Sequence, residues 1–172
     1  MTLEERFRVY DSFLPQDEYN KLIHVSHGGP DIKWNWQSSN PEEGEPIFLI
    51  RNVDEDSFYN THLLSYIQSC IDLKVKPLRI YFNAQTPNVH GCYHEDDGDM
   101  TAILYINQRP YEHKWGGWTE LWDQNTGEDA MIRPLDNRLL LFDAALTHRG
   151  TAFLGYRDPI RVNLTYKMQF VS

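Results

Sequence analysis

HEDDGDMTAILYIN, residues 94–107, runs from a turn crowded with carboxylates into a short β-rich segment. Four further segments share that character: LRIYFNA (78–84) before it, then WTELWD (118–123), NRLLLFDA (137–144) and RVNLTYKMQF (161–170). Branched and aromatic residues dominate them, and Gly, Pro, Asn and Asp turns separate them, which reads as strands. Upstream, FRVYDSF (7–13) reads as a short strand and turn. Leu14-Pro15-Gln16-Asp17-Glu18 opens a helix to about His27, with proline and acids early, and His27-Gly28-Gly29-Pro30 ends it. Trp34 and Trp36 stand at strand spacing, followed by the loop SSNPEEGEP and the apolar run IFLI. A second helix is expected from Asp54 to about Ile71, with Phe58, Leu63, Leu64, Ile67 and Ile71 as its apolar stripe. Two helices followed by at least five strands predict an α+β fold. The helices would support one face of a β-sandwich or barrel, of which the double-stranded jelly roll is one form.

The chain of 172 residues fits one domain, with helical support over about 14–71 and a β core over about 78–170. A hydrophobic fraction of 41% and an aromatic fraction of 13% are those of a folded protein. No stretch approaches the roughly 20 apolar residues of a membrane span. The opening MTLEERFRVYDSF lacks the basic flank and apolar run of a secretory signal. Two cysteines, Cys70 and Cys92, suit a reducing compartment, so a cytoplasmic protein is expected. The formal charge of −9 disfavours nucleic acid as a partner, because a polyanion selects basic surfaces.

His94 and Asp96 are two residues apart, so on an extended segment they share one face and one ion can take both. His148 follows the strand NRLLLFDA at the entry to the next turn and supplies a third donor. Two imidazoles and a carboxylate on one face of an octahedron leave three positions open, which is the facial triad of non-haem Fe(II) oxygenases. Arg161 begins a strand on which Arg161, Asn163 and Thr165 share one face and Val162, Leu164 and Tyr166 the other. A guanidinium facing into a barrel needs a planar anion, and a dicarboxylate supplies one. Tyr105, in phase with Thr101 and Ile103, could bring its hydroxyl to the same carboxylate.

The order His94-Glu95-Asp96, Thr101-Ala-Ile-Leu-Tyr105-Ile-Asn107, Gly116-Gly117-Trp118-Thr-Glu-Leu121, Ile132-Arg-Pro134-Leu-Asp-Asn-Arg138-Leu-Leu-Leu-Phe142, His148 and Arg161 resembles the prolyl 4-hydroxylase branch of the Fe(II)/2-oxoglutarate dioxygenases. The likeness covers about residues 78–168. It implies a double-stranded β-helix (jelly-roll, cupin-like) core with supporting N-terminal helices. It implies Fe(II) on His94, Asp96 and His148, and 2-oxoglutarate held at its distal carboxylate by Arg161 with Tyr105 and Thr165. The resemblance also allows for ascorbate as a reductant. Hydroxylation of a prolyl residue in a peptide or protein is the implied reaction, with a small molecule as the other substrate class. Because Asp96 is present, hydroxylation is favoured over the halogenation of relatives that replace that carboxylate. By analogy, the loop 36–46 would cover substrate, and Trp115, Trp118, Trp122, Trp34 and Trp36 would form an aromatic rim or ordinary core.

Other readings compete. Arg161-Val-Asn163-Leu-Thr165-Tyr-Lys167 is similar to the R-x-N-x-T-x-R signature of AlkB-like nucleic-acid dealkylases, with lysine in the last place. A metal-binding cupin without oxygenase activity is the other alternative, although such proteins usually carry H-x-H, which is absent here. Of the remaining histidines, His90 could line the entrance, His24 and His27 suit a helix end, and His62 and His113 suit solvent. Asp97 and Asp99 would shape the turn or orient a ligand histidine.

Overall fold

The computed structural model describes residues 1–28, 33–37, 46–71, 74–155 and 159–171. Its strands are β1 (Phe7–Tyr10), β2 (Asn35–Gln37), β3 (Phe48–Asn52), β4 (Val75–Gln85), β5 (Met100–Ile106), β6 (Thr119–Trp122), β7 (Asp129–Ile132), β8 (Leu139–Asp143), β9 (Thr147–Gly150) and β10 (Arg161–Phe170). All pairings are antiparallel. A seven-stranded sheet runs β1-β8-β5-β10-β4-β3-β2, and a three-stranded sheet runs β7-β6-β9. This is the antiparallel double-stranded β-helix expected from the sequence.

Strand β5 is buried along six of its seven residues, so neither face can meet water. One face carries Ala102, Leu104 and Ile106 into a core shared with Ile80, Phe82, Leu164 and Tyr166. Helix α1 (Gln16–Ile23) closes that core with Tyr19 and Leu22, and a second helical segment with Tyr59, Leu63, Leu64 and Ile67. The other face carries Ile103 and Tyr105 against Leu121, Ile132, Leu140, Phe142 and Leu146 under the smaller sheet. The same alternation splits β10. Val162, Leu164, Tyr166 and Met168 face the helices, and Arg161, Asn163 and Thr165 turn inward. Hydrogen bonds tie the layers: Tyr166 Oη donates to the Tyr59 carbonyl at 3.0 Å, and the Asn107 amide donates to Tyr19 Oη at 3.0 Å.

The second helix is shorter than its apolar stripe suggests. It has wide π-type turns over Phe58–Leu63 and becomes α2 over Leu64–Gln68. Asp54 is drawn elsewhere, its carboxylate accepting from the Ile80 amide at 2.5 Å, and Asp56 Oδ1 accepts from the Phe58 amide at 2.9 Å, which sets the start. Strands β2 and β3 lie within the stretch read as helical support and extend the larger sheet. Residues 38–45, most of the loop read as a cover, fall outside the described residues. In β4, Pro77 pairs with Met168 next to a register shift that leaves Leu78 unpaired, as suits a residue with no amide hydrogen to give the ladder. No helix among the described residues is long and apolar enough to cross a membrane.

Candidate metal centre

The segment carrying His94 runs beside β9 as an isolated bridge, His94 N to the His148 carbonyl at 3.0 Å and His148 N to the His94 carbonyl at 2.8 Å. That pairing puts the two imidazoles side by side, ring centroids 4.3 Å apart. Asp96, two residues on, turns to the same side. His148 Nε2 lies 3.4 Å from Asp96 Oδ2, and His94 Nε2 lies 3.6 Å from Asp96 Oδ1. One donor atom from each of the three residues can be chosen so that all lie within 4.8 Å of one another. The sequence placed His148 at the entry to a turn. It stands instead on β9, where register with β6 and the bridge to His94 fix its direction.

Both imidazoles are oriented from behind by backbone. His94 Nδ1 is 3.0 Å from the Cys92 carbonyl and His148 Nδ1 is 2.9 Å from the Leu146 carbonyl. A carbonyl only accepts, so Nδ1 carries the hydrogen in each ring and Nε2 keeps its lone pair towards the centre. Burial, then the neighbouring His148, lowers the His94 pKa, which keeps that lone pair unprotonated. For Asp96, burial pulls the pKa up, but His148, when it carries a proton on Nε2 in the metal-free protein, and Lys167 overcome it and hold the carboxyl well below the usual range. Thr101 Oγ1 donates to Asp96 Oδ2 at 2.7 Å. Oδ1 is buried and has no hydrogen-bond donor, and although Lys167 Nζ is 2.8 Å away, it approaches outside hydrogen-bond geometry. Two free imidazole nitrogens and a carboxylate oxygen that has an ion-pair neighbour but no hydrogen-bond donor converge on one point and fit a divalent metal of the kind the facial triad holds. Asp99 takes no part in orienting either ring; its Oδ2 accepts from the Phe170 amide at 2.8 Å.

From the triad a narrow cavity of about 60 Å³ runs inward between the sheets, past Tyr81, Asn83, Ile103 and Thr165, to Arg161. Arg161 is 1% exposed. Its Nε donates to the Gly117 carbonyl at 2.8 Å, Nη1 to Gln85 Oε1 at 2.7 Å and Nη2 to Thr119 Oγ1 at 3.0 Å. With its amide oriented to satisfy both neighbours, Asn163 accepts from Nη1 at 3.1 Å and donates to the Asn83 carbonyl at 3.1 Å. Tyr105 Oη donates to Thr119 Oγ1 at 2.7 Å and lies under the guanidinium, whose carbon is 5.5 Å from the ring centroid. Every one of these acceptors is neutral, and among the described residues no Asp or Glu pairs with Arg161. Burial lowers its pKa, as expected for a cation withdrawn from water. A buried charge without a counter-ion is costly, so the cavity is built to receive an anion. Larger recesses elsewhere, such as the one lined by Arg6, Ile71, Met100 and Phe170, have no such convergence of donors.

The structure therefore brings His94, Asp96, His148, Arg161 and Thr165 to one cavity, while Tyr105 is buried behind its wall and meets it only through Thr119 Oγ1. Gln85, Thr119 and Tyr81 went unread in the sequence, and Lys167 was read only as the last place of the R-x-N-x-T-x-R-like signature. The polar residues Arg79, Tyr81, Asn83 and Gln85 alternate along a strand whose other face is core, and that stripe was the available signal. None of the tryptophans lines the cavity: Trp115 is fully buried against Phe153 and Tyr111, and Trp122 is 42% exposed on the outer face of β6.

Two glycines shape the far end. Gly117, at φ +75°, offers its carbonyl to Arg161, and a Cβ there would collide with the Phe153 ring. A Cβ on Gly150 would stand 2.9 Å from Gln85 Oε1 and 3.1 Å from Arg161 Nη1. Gly150→Ala is expected to push the guanidinium aside at a cost of about 1–3 kcal/mol. If that cost falls on ligand binding, the KM for the anionic ligand rises about 5- to 150-fold with kcat little changed, measured by steady-state kinetics.

A jelly roll with a two-histidine, one-carboxylate centre and a buried arginine at the end of its cavity defines the class of metal-dependent oxygenases. Residues 79–165, just over half of the chain, match the model of the 2OG-Fe(II) oxygenase superfamily, and the chain belongs to that family. No curated protein sequence matches it. Among solved structures, a Pseudomonas putida prolyl-4-hydroxylase superposes with a TM-score of 0.74 at 17% identity, covering 99% of this chain and 96% of that one. A Trichoplax adhaerens prolyl hydroxylase, solved with a peptide fragment of the hypoxia inducible factor oxygen degradation domain, gives 0.69 at 18% identity over 93% and 82%. HygX from Streptomyces hygroscopicus, solved with nickel, 2-oxoglutarate and hygromycin B, gives 0.62 at 11% over 93% and 81%. At these identities the likeness is one of fold.

Proposed function

We propose that this oxygenase hydroxylates a prolyl residue in a peptide or protein, with His94, Asp96 and His148 holding Fe(II) and Arg161, Tyr105 and Thr165 receiving 2-oxoglutarate. The observation that carries the oxygenase reading is the single cavity joining the triad to a buried guanidinium with no counter-ion. Prolyl specificity is supported by the presence of prolyl hydroxylases among the structural neighbours. Iron with 2-oxoglutarate supplies the chemistry: one atom of dioxygen enters a substrate C–H bond, and the other enters the succinate formed as carbon dioxide leaves.

The protein's part is placement. Arg161, fixed by Gln85, Thr119 and Gly117, takes the far carboxylate in a two-pronged contact, so binding energy is spent on orientation before reaction. Thr119 accepts from both Arg161 and Tyr105, which locks the guanidinium plane. The carbonyls of Cys92 and Leu146 keep both Nε2 atoms free, and Thr101 holds Asp96. Tyr81, whose pKa is raised by burial first and by Asp96 second, stays a neutral phenol along the cavity wall. His94 is 45% accessible at its side chain against 5% for His148, so the centre opens to substrate on the His94 side.

The test is succinate release from 2-oxoglutarate with Fe(II), with and without short proline-containing peptides and their Pro→Ala counterparts. Proline-dependent stimulation and a hydroxyl-sized mass gain on the peptide are expected. Equal rates with both peptide sets would sink the prolyl assignment, and leave the oxygenase reading to stand on the basal rate.

A further inference from the structure

Lys167 continues the inward row of Arg161, Asn163 and Thr165 on β10, and its side chain is only 17% exposed. Its Nζ is 2.8 Å from Asp96 Oδ1, while Thr101, paired with it across the strands, holds Oδ2. The proposed function has no use for this lysine. As a structural salt bridge it is a weak device, because a largely buried pair recovers little beyond its desolvation cost. As a neighbour of a divalent metal it is unfavourable, since like charges repel most where water is excluded. A cation kept at such a place makes sense when an anion joins the metal there. Arg161 lines one end of the cavity, and Lys167, which does not line it, stands beside Asp96, the one carboxylate among the described residues that do.

We infer that Lys167 is a positioning residue that, through its ion pair with Asp96, holds a positive charge beside the metal and so draws a dianionic keto acid to it. This rests on the oxygenase reading. It makes occupancy by the metal and by the keto acid mutually dependent, each raising the affinity for the other. The lysine opposes the metal alone and favours the metal with its anion.

The experiment is equilibrium binding by calorimetry, first Mn(II) alone and then 2-oxoglutarate on the Mn(II)-loaded protein, for wild type, Lys167→Met and Lys167→Arg. For the Met variant, Mn(II) affinity is expected to be unchanged or tighter. Its affinity for 2-oxoglutarate should be about tenfold weaker or worse, the scale of an outer-shell partner lost. The Arg variant should restore most of that loss. Weaker Mn(II) binding by the Met variant would make Lys167 a mere prop for Asp96 and overturn the inference. So would unchanged 2-oxoglutarate affinity in a variant whose wild type binds both ligands. A wild type that binds neither overturns the oxygenase reading and this inference with it.

Discussion

His148→Ala is expected to lose tight metal binding altogether, and with it the thermal stabilisation that Mn(II) or Fe(II) gives the wild type. Of the two histidines, His148 is the harder to replace. Its side chain is 5% exposed, packed edge-on against Phe142 with ring centroids 4.7 Å apart and tethered through Nδ1 to the Leu146 carbonyl. Alanine there leaves a hole lined by a phenyl ring, and a water that entered it would find few partners. His94 lies 45% open, so in His94→Ala a water can stand in for the lost nitrogen. The loss in His148→Ala therefore exceeds the roughly 10- to 100-fold that removal of an outer-shell partner costs, and exceeds that of His94→Ala. The check is a thermal-shift titration with Mn(II). The wild type melts higher as metal is added, following the mass-action dependence of a ligand that binds only the folded state. His148→Ala shows a flat response. His62→Ala is the control, because His62 is a half-exposed ring stacked on Phe58 and has no path to the triad. A metal-dependent shift persisting in His148→Ala would remove it from the ligand set.

How far this site could be read in the sequence depends on which distances were local. His94 and Asp96 were legible because period-two geometry on an extended segment needs no knowledge of the rest of the fold. The inward face of β10 was legible for the same reason, and Val162, Leu164 and Tyr166 indeed meet the helices while Arg161, Asn163 and Thr165 line the cavity. What was not legible is everything that depends on register between distant strands. Gln85 meets Arg161 only because β4 and β10 pair Arg161 opposite Gln85, 76 residues away in sequence. Thr119 reaches it from the other sheet. The strands missed, β7 and β9, have four residues each, too few for alternation to rise above chance. The second helix was read too long at its start because Asp54, taken as its first residue, is captured by the Ile80 amide, and at its end because Ile71 continues the stripe beyond Gln68. Periodicity records which side chains want burial. It does not record which backbone groups are already taken.

Arg161→Met should separate metal binding from keto-acid binding. The side chain is similar in length, so the volume at the end of the cavity is largely kept. What goes is the charge and four contacts, to Gly117, Gln85, Thr119 and Asn163. Truncating one partner of a buried charge pair costs about 2–5 kcal/mol, so the affinity for 2-oxoglutarate should fall roughly 30-fold to several-thousand-fold. Mn(II) binding should survive, because the triad is at the other end of the cavity and none of its atoms touches the guanidinium. Stability of the ligand-free protein is the revealing quantity. In the wild type a fully buried cation has only neutral acceptors, which is a poor arrangement for a fold on its own account. Methionine removes that burden but strands the Gln85 and Gly117 oxygens, each worth about 1–3 kcal/mol if left unpaired. The two effects oppose, so the melting temperature of the ligand-free variant should stay close to that of wild type, whereas a salt bridge that existed to hold the fold would cost several degrees. Adding 2-oxoglutarate with Mn(II) should then raise the wild-type melting temperature above its metal-only value and leave Arg161→Met at its own. An equal keto-acid shift in both proteins would mean that the distal carboxylate is held elsewhere, and that the buried guanidinium serves the fold rather than the ligand.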